Sequence, residues 1–336
     1  MSPNNSTILY AGLDVAKATL QLDLRGVSHC LENTQKGHRC LLRLLAEAEA
    51  GAPAHARLQI VLEATGGYEA AVVAALHAAA RRVSVLQPAR VRHFARARAE
   101  HAKTDPIDAA VLTAFGEALR PAPTPAPDAA QSHLAVLVGW RAQLVAMRVA
   151  ELNHAEHYTD KLLRTQRRQL LALLDRQIAA CERAIATQLA ADEAMKTRAA
   201  RVQEVPGIGP TVAAILQAQM PKLGTLTDGQ AAALTGLAPY NRDSGPRQGV
   251  RFIRGGRVGV RCALYMASLS AIRHDRILHD FYARLRAAGK ARMVALTAVM
   301  RKLIVLLNRL QRQPAFQLRG HAAATGPQPA RPAVAT

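Results

Sequence analysis

Four acidic residues in the first third of the chain could together bind divalent metal ions. Asp14 and Glu63 each stand at the end of an apolar segment, whereas Asp105 and Asp108 are three residues apart in the segment HAKTDPIDAAVL. That spacing places Asp105 and Asp108 on one face of a helix. Carboxylate oxygens are ligands of hard divalent cations, and two Mg²⁺ ions about 4 Å apart activate a nucleophile and stabilise the leaving oxygen in phosphodiester cleavage. We therefore predict a site for two Mg²⁺ ions, with Mn²⁺ as the alternative, held by these four carboxylates.

The four acids also have structural explanations, which differ in weight. Asp105 is a good N-cap residue, Pro106 suits the first helical position, and Asp108 would interact favourably with the helix dipole. Asp14 and Glu63 are harder to explain in this way, because a carboxylate in an apolar strand needs a partner. As a set, the four residues favour metal binding over a purely structural role.

A basic segment precedes Asp105 and could bind nucleic acid. Its only acid is Glu100, and its basic and histidine residues are Arg90, Arg92, His93, Arg96, Arg98, His101 and Lys103. We interpret the segment as a basic turn. A solvated face is the usual explanation for such a run, but its position beside an acidic site favours contact with the phosphates of a nucleic-acid backbone.

The charge of the whole chain indicates a polyanionic partner. The 336 residues include 44 Lys and Arg against 24 Asp and Glu, which gives a formal net charge of +20. A field of this size favours nucleic acid, although the arginine codons of a GC-rich genome would also explain it. Half of the residues are hydrophobic, so the chain is globular rather than disordered and long enough for two domains with their own cores.

The cysteines and the hydropathy exclude several other classes of protein. Cys30, Cys40, Cys181 and Cys262 lack CxxC spacing, so they suggest neither a zinc site nor a disulfide framework. No apolar run reaches about 18 residues, and the N-terminus lacks a signal-peptide pattern. We expect a soluble protein of the reducing cytoplasm without a membrane partner.

Hydrophobic patterning predicts an α/β domain with a mixed sheet at the N-terminus. The predicted elements are three strands that could form a meander (7–16, 18–26 and 27–34), a helix (37–50), a strand (57–67), a helix (68–80), a strand (81–88) and a helix after Asp105. In such a sheet the first and fourth strands can be neighbours. Asp14 and Glu63 could then share one edge, and a docked helix could add the other two acids.

The middle of the chain changes composition twice. Four prolines in the nine residues 120–128 predict a stiff, extended linker. Residues 129–200 are rich in Leu, Ala, Arg and Gln, which predicts one or two long helices and a coiled coil used for spacing or dimerisation. We expect four parts: an α/β domain (1–126), a helical connector (127–200), a mainly α-helical domain (201–315) and a loose tail (316–336).

The third part begins with a glycine-containing turn. In VPGIGPTVAAIL (205–216), Gly207 and Gly209 lead into a helix, as in a helix-hairpin-helix. There, glycines let backbone N–H groups at a helix N-terminus approach a phosphate. The alternative is a plain tight turn between packed helices.

A later loop rich in glycine and arginine contains a candidate nucleophile, Ser244. Its hydroxyl could attack phosphorus, and neighbouring arginines could stabilise the charge that develops. The alternative is an ordinary Asp-Ser-Gly turn. The arginines that could contact phosphates are Arg242, Arg247, Arg251, Arg254 and Arg257.

Seven motifs in order resemble a known family. They are GLDVAK, VLEATGGYE, AKTDPIDA, VPGIGP, GLAPYNRDSG, GGRVGVRCALYMA and AAGKARMVALTAVMRKL. This set, from about residue 8 to residue 312, resembles the DEDD transposases of the insertion-sequence 110 family, and IRGGR is most similar to the 1111 subgroup. The resemblance implies a ribonuclease-H-like (RuvC-like) N-terminal domain, similar to Holliday-junction resolvases, and a C-terminal transposase domain. Its four acids map onto Asp14, Glu63, Asp105 and Asp108, and its catalytic serine maps onto Ser244.

The resemblance also implies partners. Family members assemble a composite site from the acidic domain of one protomer and the serine loop of another, as a dimer that pairs into a tetramer. A non-coding bridge RNA pairs with donor and target DNA. This implies a bacterial, nucleoid-associated protein.

Three functions remain to be distinguished. The leading hypothesis is a bridge-RNA-guided DNA recombinase that uses Mg²⁺ and a serine nucleophile. The alternative is a metal-dependent, structure-selective nuclease of the Holliday-junction type without serine chemistry. In the third, the protein binds RNA or DNA without catalysis and its acids are structural.

Overall fold

The chain folds into two compact units, Met1–Pro127 and Asp128–Thr336. The computed structural model describes residues 7–53, 56–98, 105–126, 128–154, 159–241, 249 and 251–318. The elements of the N-terminal unit are β1 (Ile8–Val15), β2 (Thr19–Leu24), β3 (Val27–Glu32), α1 (Gln35–Ala50), β4 (Arg57–Glu63), α2 (Ala70–Ala78), β5 (Arg82–Leu86), α3 (Pro88–Ala97) and α4 (Asp105–Leu119). Those of the C-terminal unit are α5 (Ala129–Asn153), α6 (Lys161–Ala191), α7 (Glu193–Gln203), α8 (Pro210–Gln219), α9 (Asp228–Leu234), β6 (Pro239–Tyr240), β7 (Phe252–Ile253), α10 (Val258–His274), α11 (Arg276–Ala287) and α12 (Arg292–Arg312).

The described residues of the N-terminal unit form a five-stranded sheet in the order β3-β2-β1-β4-β5. β1, β2 and β3 pair antiparallel, whereas β4 is parallel to both β1 and β5. Arg25 and Gly26, both with positive φ, form the two-residue connection between β2 and β3, as in a type I′ hairpin turn. The predicted mixed sheet is confirmed, and its strand order is consistent with a ribonuclease-H-like domain.

Two different layers of helices cover the two faces of this sheet. On one face, Leu13 of β1 and Leu62 of β4 pack in one apolar cluster with Leu41 of α1 and Leu76 of α2. On the other face, a second apolar cluster consists of Tyr10, Val61, Leu86, Val91, Val111, Leu112 and Phe115, from β1, β4, β5, α3 and α4. Because successive side chains of a strand point to opposite faces, Gly12 and Asp14 face the layer of α3 and α4.

The segment predicted as a basic turn is a helix as far as Ala97. Pro88 lies in the first turn of α3, where its fixed φ suits a helix and its missing N–H costs no hydrogen bond. Val91 is buried, whereas Arg90, Arg92 and Arg96 are exposed. The prediction of a turn was wrong because the dense charges hid the few apolar positions that pack against the domain.

The beginning of the proline-rich segment is bound to the edge of the sheet. Thr124 N–H donates to the Val83 carbonyl at 2.7 Å, and Val85 N–H donates to Thr124 Oγ1 at 3.0 Å. Ser84 donates its hydroxyl to the Ala122 carbonyl at 2.9 Å. This segment therefore satisfies backbone groups of the edge strand β5.

Three helices, α5, α6 and α7, occupy the segment where one or two long helices were predicted, and α5 and α6 form an antiparallel pair. Arg141 bonds Glu182 at 2.6 Å, and Arg148 bonds Asp175 at 2.5 Å; the order of partners along the two helices is thus reversed. Residues of α5 and α6 form an apolar cluster with one methionine of α7 and two alanines of α8. Its members are Leu134, Val138, Cys181, Ile185, Met195, Ala214 and Ala218.

The remaining helices pack around α12. Its buried residues Val299, Leu303 and Leu307 lie at the centre of the largest cluster, and Phe316 and Leu318 pack against that cluster after α12 ends. Arg201 donates to the carbonyls of Pro314, at 3.0 Å, and of Phe316. The segment predicted as a tail is therefore attached as far as residue 318, and the rest of that prediction lies outside the described residues. No helix in the described part of the chain has the length and apolar character required to span a membrane.

Candidate functional site

Three of the four predicted acids line one pocket of the N-terminal unit. Asp14, Glu63 and Asp108 share with Arg92 a cavity of about 260 Å³. Its other walls are mostly apolar and come from α3 and α4: Pro88, Val91, Ala95, Val111 and Leu112. Acidic and basic side chains therefore converge in an otherwise apolar cleft. Binding and catalytic sites usually have this form.

Strand register brings Asp14 and Glu63 together. Leu13 of β1 lies opposite Leu62 of the parallel strand β4, so Asp14 and Glu63, one residue further along, occupy equivalent positions in these neighbouring strands. Asp14 is the penultimate residue of β1, and Glu63 is the last residue of β4. Both side chains are half-buried and line the pocket on the face covered by α3 and α4. A slip of one residue would turn them into the apolar layer on the other face.

The close approach of α4 to β1 brings Asp108 to the same pocket. A Cβ atom on Gly12 would lie 2.0 Å from the carbonyl oxygen of Ala109 and 2.7 Å from the amide nitrogen of Thr113. On Gly116, a Cβ atom would lie 2.5 Å from the ring of Tyr10. These two glycines let the helix lie directly on the strand, with its N-terminal turn beside the acids.

A buried network that sequence reasoning missed fixes this contact. Thr113 of α4 donates its hydroxyl to the carboxylate of Asp23 at 2.5 Å and accepts the N–H of Gly12 at 2.8 Å. Asp23 and Thr113 are 7% and 9% exposed. The alternation in β2 could have revealed Asp23, because it lies opposite Gly12 in the register and therefore faces α4.

The donor chemistry of the pocket fits a hard divalent cation. Three carboxylates supply the oxygen ligands that Mg²⁺ and Mn²⁺ prefer. The side chain of the fourth predicted acid, Asp105, lies outside the described part, although α4 begins at that residue. Among the described residues, no three acidic, histidine or cysteine side chains are close enough to enclose an ion, so a cation would have to draw these carboxylates together.

The basic residues of α3 surround the pocket in different ways. Arg92 lines it, whereas the Cζ atom of Arg90 lies 5.4 Å from the ring centroid of Phe115 and that of Arg98 lies 5.8 Å from that of Phe94. Arg96 is exposed in the last turn. His93 is exposed too, and the predicted contacts of His101 and Lys103 lie outside the described residues.

The two glycines of the predicted helix-hairpin-helix have different surroundings. Gly207 has a φ of +90°, and a Cβ atom there would lie 2.6 Å from the Ala267 carbonyl of α10. Gly209 is the N-cap of α8, and an added Cβ atom would have no neighbour within 4 Å. The structure therefore gives Gly207 a role in helix packing, and only Gly209 lies at an open helix N-terminus.

A short ribbon, β6 and β7, carries the loop with the candidate nucleophile. Ser244, Arg242 and Arg247 lie outside the described residues. At the base of the ribbon, a Cβ atom on Gly236 would lie 2.1 Å from the Gly255 carbonyl, and one on Gly256 would lie 2.1 Å from the Gly236 nitrogen. Close backbone packing thus joins the chain before β6 to the chain after β7.

The described arginines of this region lie along β7 and at the start of α10. Arg254 stacks over Tyr240 with its Cζ atom 5.9 Å from the ring centroid, and Arg251 is exposed beside β7. Partial burial of the guanidinium lowers the pKa of Arg257, although the residue as a whole is exposed. Its Nη1 donates to the sulfur of the buried Met220 at 3.2 Å.

Two family models of transposases match the chain. The first, for DEDD transposases of the IS110 type, matches residues 11–180 and so includes the acid pocket. The second is described as the transposase of the IS116/IS110/IS902 family and matches residues 199–283, which include the ribbon and its loop. Together they span both units.

A curated relative is also similar to the chain. It is the "Insertion element IS116 uncharacterized 44.8 kDa protein" of Streptomyces clavuligerus, 32% identical over 155 residues. The matched part is 45% of this chain and 37% of the relative, so the chain spans well under half of the relative's length.

Proposed function

Because the chain belongs to the IS110 family of DEDD transposases, we propose that it is a site-specific DNA recombinase that moves an insertion sequence. Its substrates are donor and target DNA. The family resemblance supports guidance by a bridge RNA and a dimer that pairs into a tetramer, and IRGGR is most similar to the 1111 subgroup.

The acid pocket is the proposed metal site. Asp14, Glu63, Asp105 and Asp108 hold two Mg²⁺ ions, or Mn²⁺, through their carboxylate oxygens. When bound, these ions supply positive charge for the phosphate and favour the ionised form of the attacking hydroxyl. Arg92, which lines the same pocket, attracts and orients the scissile phosphate.

Ser244 is the proposed nucleophile. Its Oγ forms a bond to phosphorus, and at the same time one of the two bridging P–O bonds of the DNA is broken. The serine proton goes to solvent, and the released sugar oxygen takes up a proton. A hydroxyl of the other DNA then attacks the phosphoserine, and the Ser244 oxygen leaves and regains a proton. Because one phosphodiester replaces another, strand exchange needs no external energy source.

The basic residues are the proposed contacts to phosphates. Beside the acid pocket these are Arg90, Arg92, Arg96, Arg98 and Lys103. In the C-terminal unit they are Arg242, Arg247, Arg251, Arg254 and Arg257, with the backbone of the turn that contains Gly207 and Gly209. The open N-terminus of α8 supports a contact at Gly209, and the packing of Gly207 against α10 fixes the turn that presents it.

The observation that carries the proposal is the convergence of Asp14, Glu63 and Asp108 on one pocket. These residues are far apart along the chain, and apolar layers cover the rest of the sheet. Strand register and helix packing thus place three half-buried carboxylates together, and a purely structural role does not require this arrangement.

Two substitutions test the function. We expect Asp14→Asn and Ser244→Ala each to reduce strand exchange between plasmids carrying the element's ends and its target by a factor of about 10³ or more, while nucleic-acid binding survives. Asp175→Asn and Ser28→Ala, at exposed positions, serve as controls and should recombine normally. Full recombination by Asp14→Asn would remove the metal site from the mechanism.

One observation favours a second candidate function. The acid pocket is lined entirely by residues of the N-terminal unit, which is sufficient for a structure-selective nuclease that uses water. That nuclease would cleave a Holliday junction in Mg²⁺ equally well with Ser244→Ala and would form no covalent protein–DNA adduct. Isolation of a phosphoserine adduct after denaturation therefore distinguishes the two functions.

A further inference from the structure

The loop that follows Glu63 is held rigidly by one carboxylate. Glu69 Oε2 accepts the N–H and the hydroxyl of Thr65, each at 3.1 Å, and the N–H of Gly67 at 2.8 Å. Burial alone would raise the pKa of the Glu69 carboxyl, but these hydrogen bonds and one from its own N–H keep that pKa below its usual value. Gly66 and Gly67, with φ of 75° and 112°, adopt the left-handed backbone that the tight loop requires.

A second group connects this loop to the end of β1. Asn33 donates one side-chain nitrogen, Nδ2, to two carbonyls, that of Ala16 at 3.0 Å and that of Tyr68 at 3.2 Å. Its Oδ1 lies 2.8 Å from Nε2 of the buried His38, which therefore donates. Burial lowers the pKa of His38, so a neutral imidazole holds the amide. Asn33 thus uses its full amide group to join the loops that follow β1 and β4, the two strands that carry Asp14 and Glu63.

The side chain presented by this frame is an exposed aromatic ring. Tyr68 is 50% exposed although its backbone is held on both sides. Lys17, in the loop joined to it by Asn33, and Lys36, in the first turn of α1, are exposed as well. A single exposed tyrosine needs no explanation. Here the ring is carried by a backbone that is held in place, in a loop after the strand that ends in Glu63, and exposed lysines lie in the loop after β1 and in α1; an aromatic ring with basic residues has the chemistry of a nucleic-acid stacking platform.

We propose that Tyr68 stacks against an unpaired base of the DNA that is cleaved at the acid pocket. This inference rests on the proposed function, since it assigns a substrate contact to the same end of the sheet. Tyr68 supplies the ring, Glu69 and Asn33 hold its backbone, and Lys17 and Lys36 attract the flanking phosphates.

The length of the loop limits where that base can be. Tyr68 lies five positions after Glu63, and an extended chain over five positions spans at most about 17 Å. One strand of DNA advances about 3.4 Å per nucleotide. The stacked base therefore lies within about five nucleotides of the scissile phosphate.

Fluorescence of 2-aminopurine tests the contact directly. The full-length protein is titrated into short single-stranded DNA with 2-aminopurine at a central position, and both quenching and the dissociation constant are measured. Tyr68→Leu should lose the quenching and bind about 5-fold to 150-fold more weakly. Tyr68→Phe keeps the ring and should behave like the wild type, whereas Asn33→Ala should lie between.

Controls separate stacking from loss of fold and from failure of the proposed function. Trp140→Leu removes another ring of similar exposure, 49%, and should leave quenching unchanged. Unaltered quenching and affinity in Tyr68→Leu overturns the inference, as does a response to RNA of the same sequence without one to DNA. If the wild-type protein recombines and Tyr68→Leu binds DNA normally, only the inference fails. If the wild-type protein performs no strand exchange, the proposed function fails, whatever Tyr68→Leu does.

Discussion

At the residue scale, the pocket depends on polar side chains that are held by partners outside it. Asp14 and Glu63 owe their position to strand register, whereas Asp108 owes its position to the contact of α4 with β1. That contact includes the hydroxyl of Thr113, which bonds both Asp23 and Gly12. The carboxylate of Asp23 is buried, and a buried charge without its hydrogen bond is costly. Asp23 is therefore best understood as a support for the pocket rather than as one of its ligands.

Substitution of Thr113 by Val should destabilise the N-terminal unit. Valine has nearly the same shape but removes the hydroxyl, so the buried carboxylate of Asp23 and the N–H of Gly12 both lose a partner. We expect the free energy of unfolding to fall by about 1–3 kcal/mol, measured by urea denaturation of the full-length protein.

The matched variant Thr113→Ser retains the hydroxyl and should recover most of the lost free energy of unfolding. An equal loss in both variants would show that packing of the Thr113 methyl group, and not the hydrogen bonds, holds α4. An unchanged stability in Thr113→Val would mean that Asp23 is solvated in solution.

At the element scale, glycine determines how closely helices approach their neighbours. Gly12 and Gly116 allow contact between β1 and α4, and Gly207 allows the turn before α8 to touch α10. In each case a Cβ atom would lie within 3 Å of another residue. Glycines, which have no side chain, thus contribute as much to the position of these elements as the side chains that pack between them.

Gly12→Ala should therefore destabilise the protein and reduce strand exchange. The new methyl group would lie 2.0 Å from the Ala109 carbonyl, and because this contact is to backbone, α4 must move away from β1 and carry Asp108 with it. Overpacking of this kind costs roughly 1–3 kcal/mol of stability, measured by thermal or urea unfolding.

The control is Gly139→Ala in the interior of α5. An added Cβ atom there has no neighbour within 4 Å, so alanine should stabilise the helix by up to about 1 kcal/mol. Opposite signs for the two substitutions are expected. The explanation by close packing is lost if Gly12→Ala leaves both stability and strand exchange unchanged.

At the scale of the whole molecule, the net charge of +20 and the local position of the cations contribute differently to nucleic-acid binding. The overall field attracts any polyanion and weakens as salt is added. The exposed arginines of α3 lie on the side of the sheet where the acid pocket opens, whereas α1 packs against the other face. The exposed arginines of α3 are therefore better placed than Arg43, in the middle of α1, to contact phosphates that approach the pocket.

Arg96→Gln should therefore weaken DNA binding more than Arg43→Gln, although both remove one positive charge. Arg43 belongs to α1, where it lies 3.7 Å from Glu47. We expect Arg96→Gln to reduce the slope of log K against log salt by about 1, measured by fluorescence anisotropy at several KCl concentrations. Equal slopes for the two variants would indicate that the general field, and not α3, determines affinity.

Much of the local structure was predictable from local patterns. Hydrophobic patterning predicted the strands, and the apolar segments near whose ends Asp14 and Glu63 stand predicted two of the acids that line the pocket. The order of the motifs also predicted the family. These features are encoded by neighbours in the chain, because periodicity and turn residues act over a few positions.

Only the tertiary structure decided which distant residues meet. Thr113 and Asp23 are 90 positions apart, and the sequence around one gives no signal for the other. The packing of Gly207 on α10 and the helical state of α3 likewise depend on contacts with residues that are distant in the chain. Burial makes these contacts specific. Inside a packed core, a polar group needs its hydrogen-bond partner, and the space beside a glycine fits only one arrangement of its neighbours. The sequence by itself thus determined which groups are available for chemistry, and the packing of helices on the sheet determined which of them share a pocket.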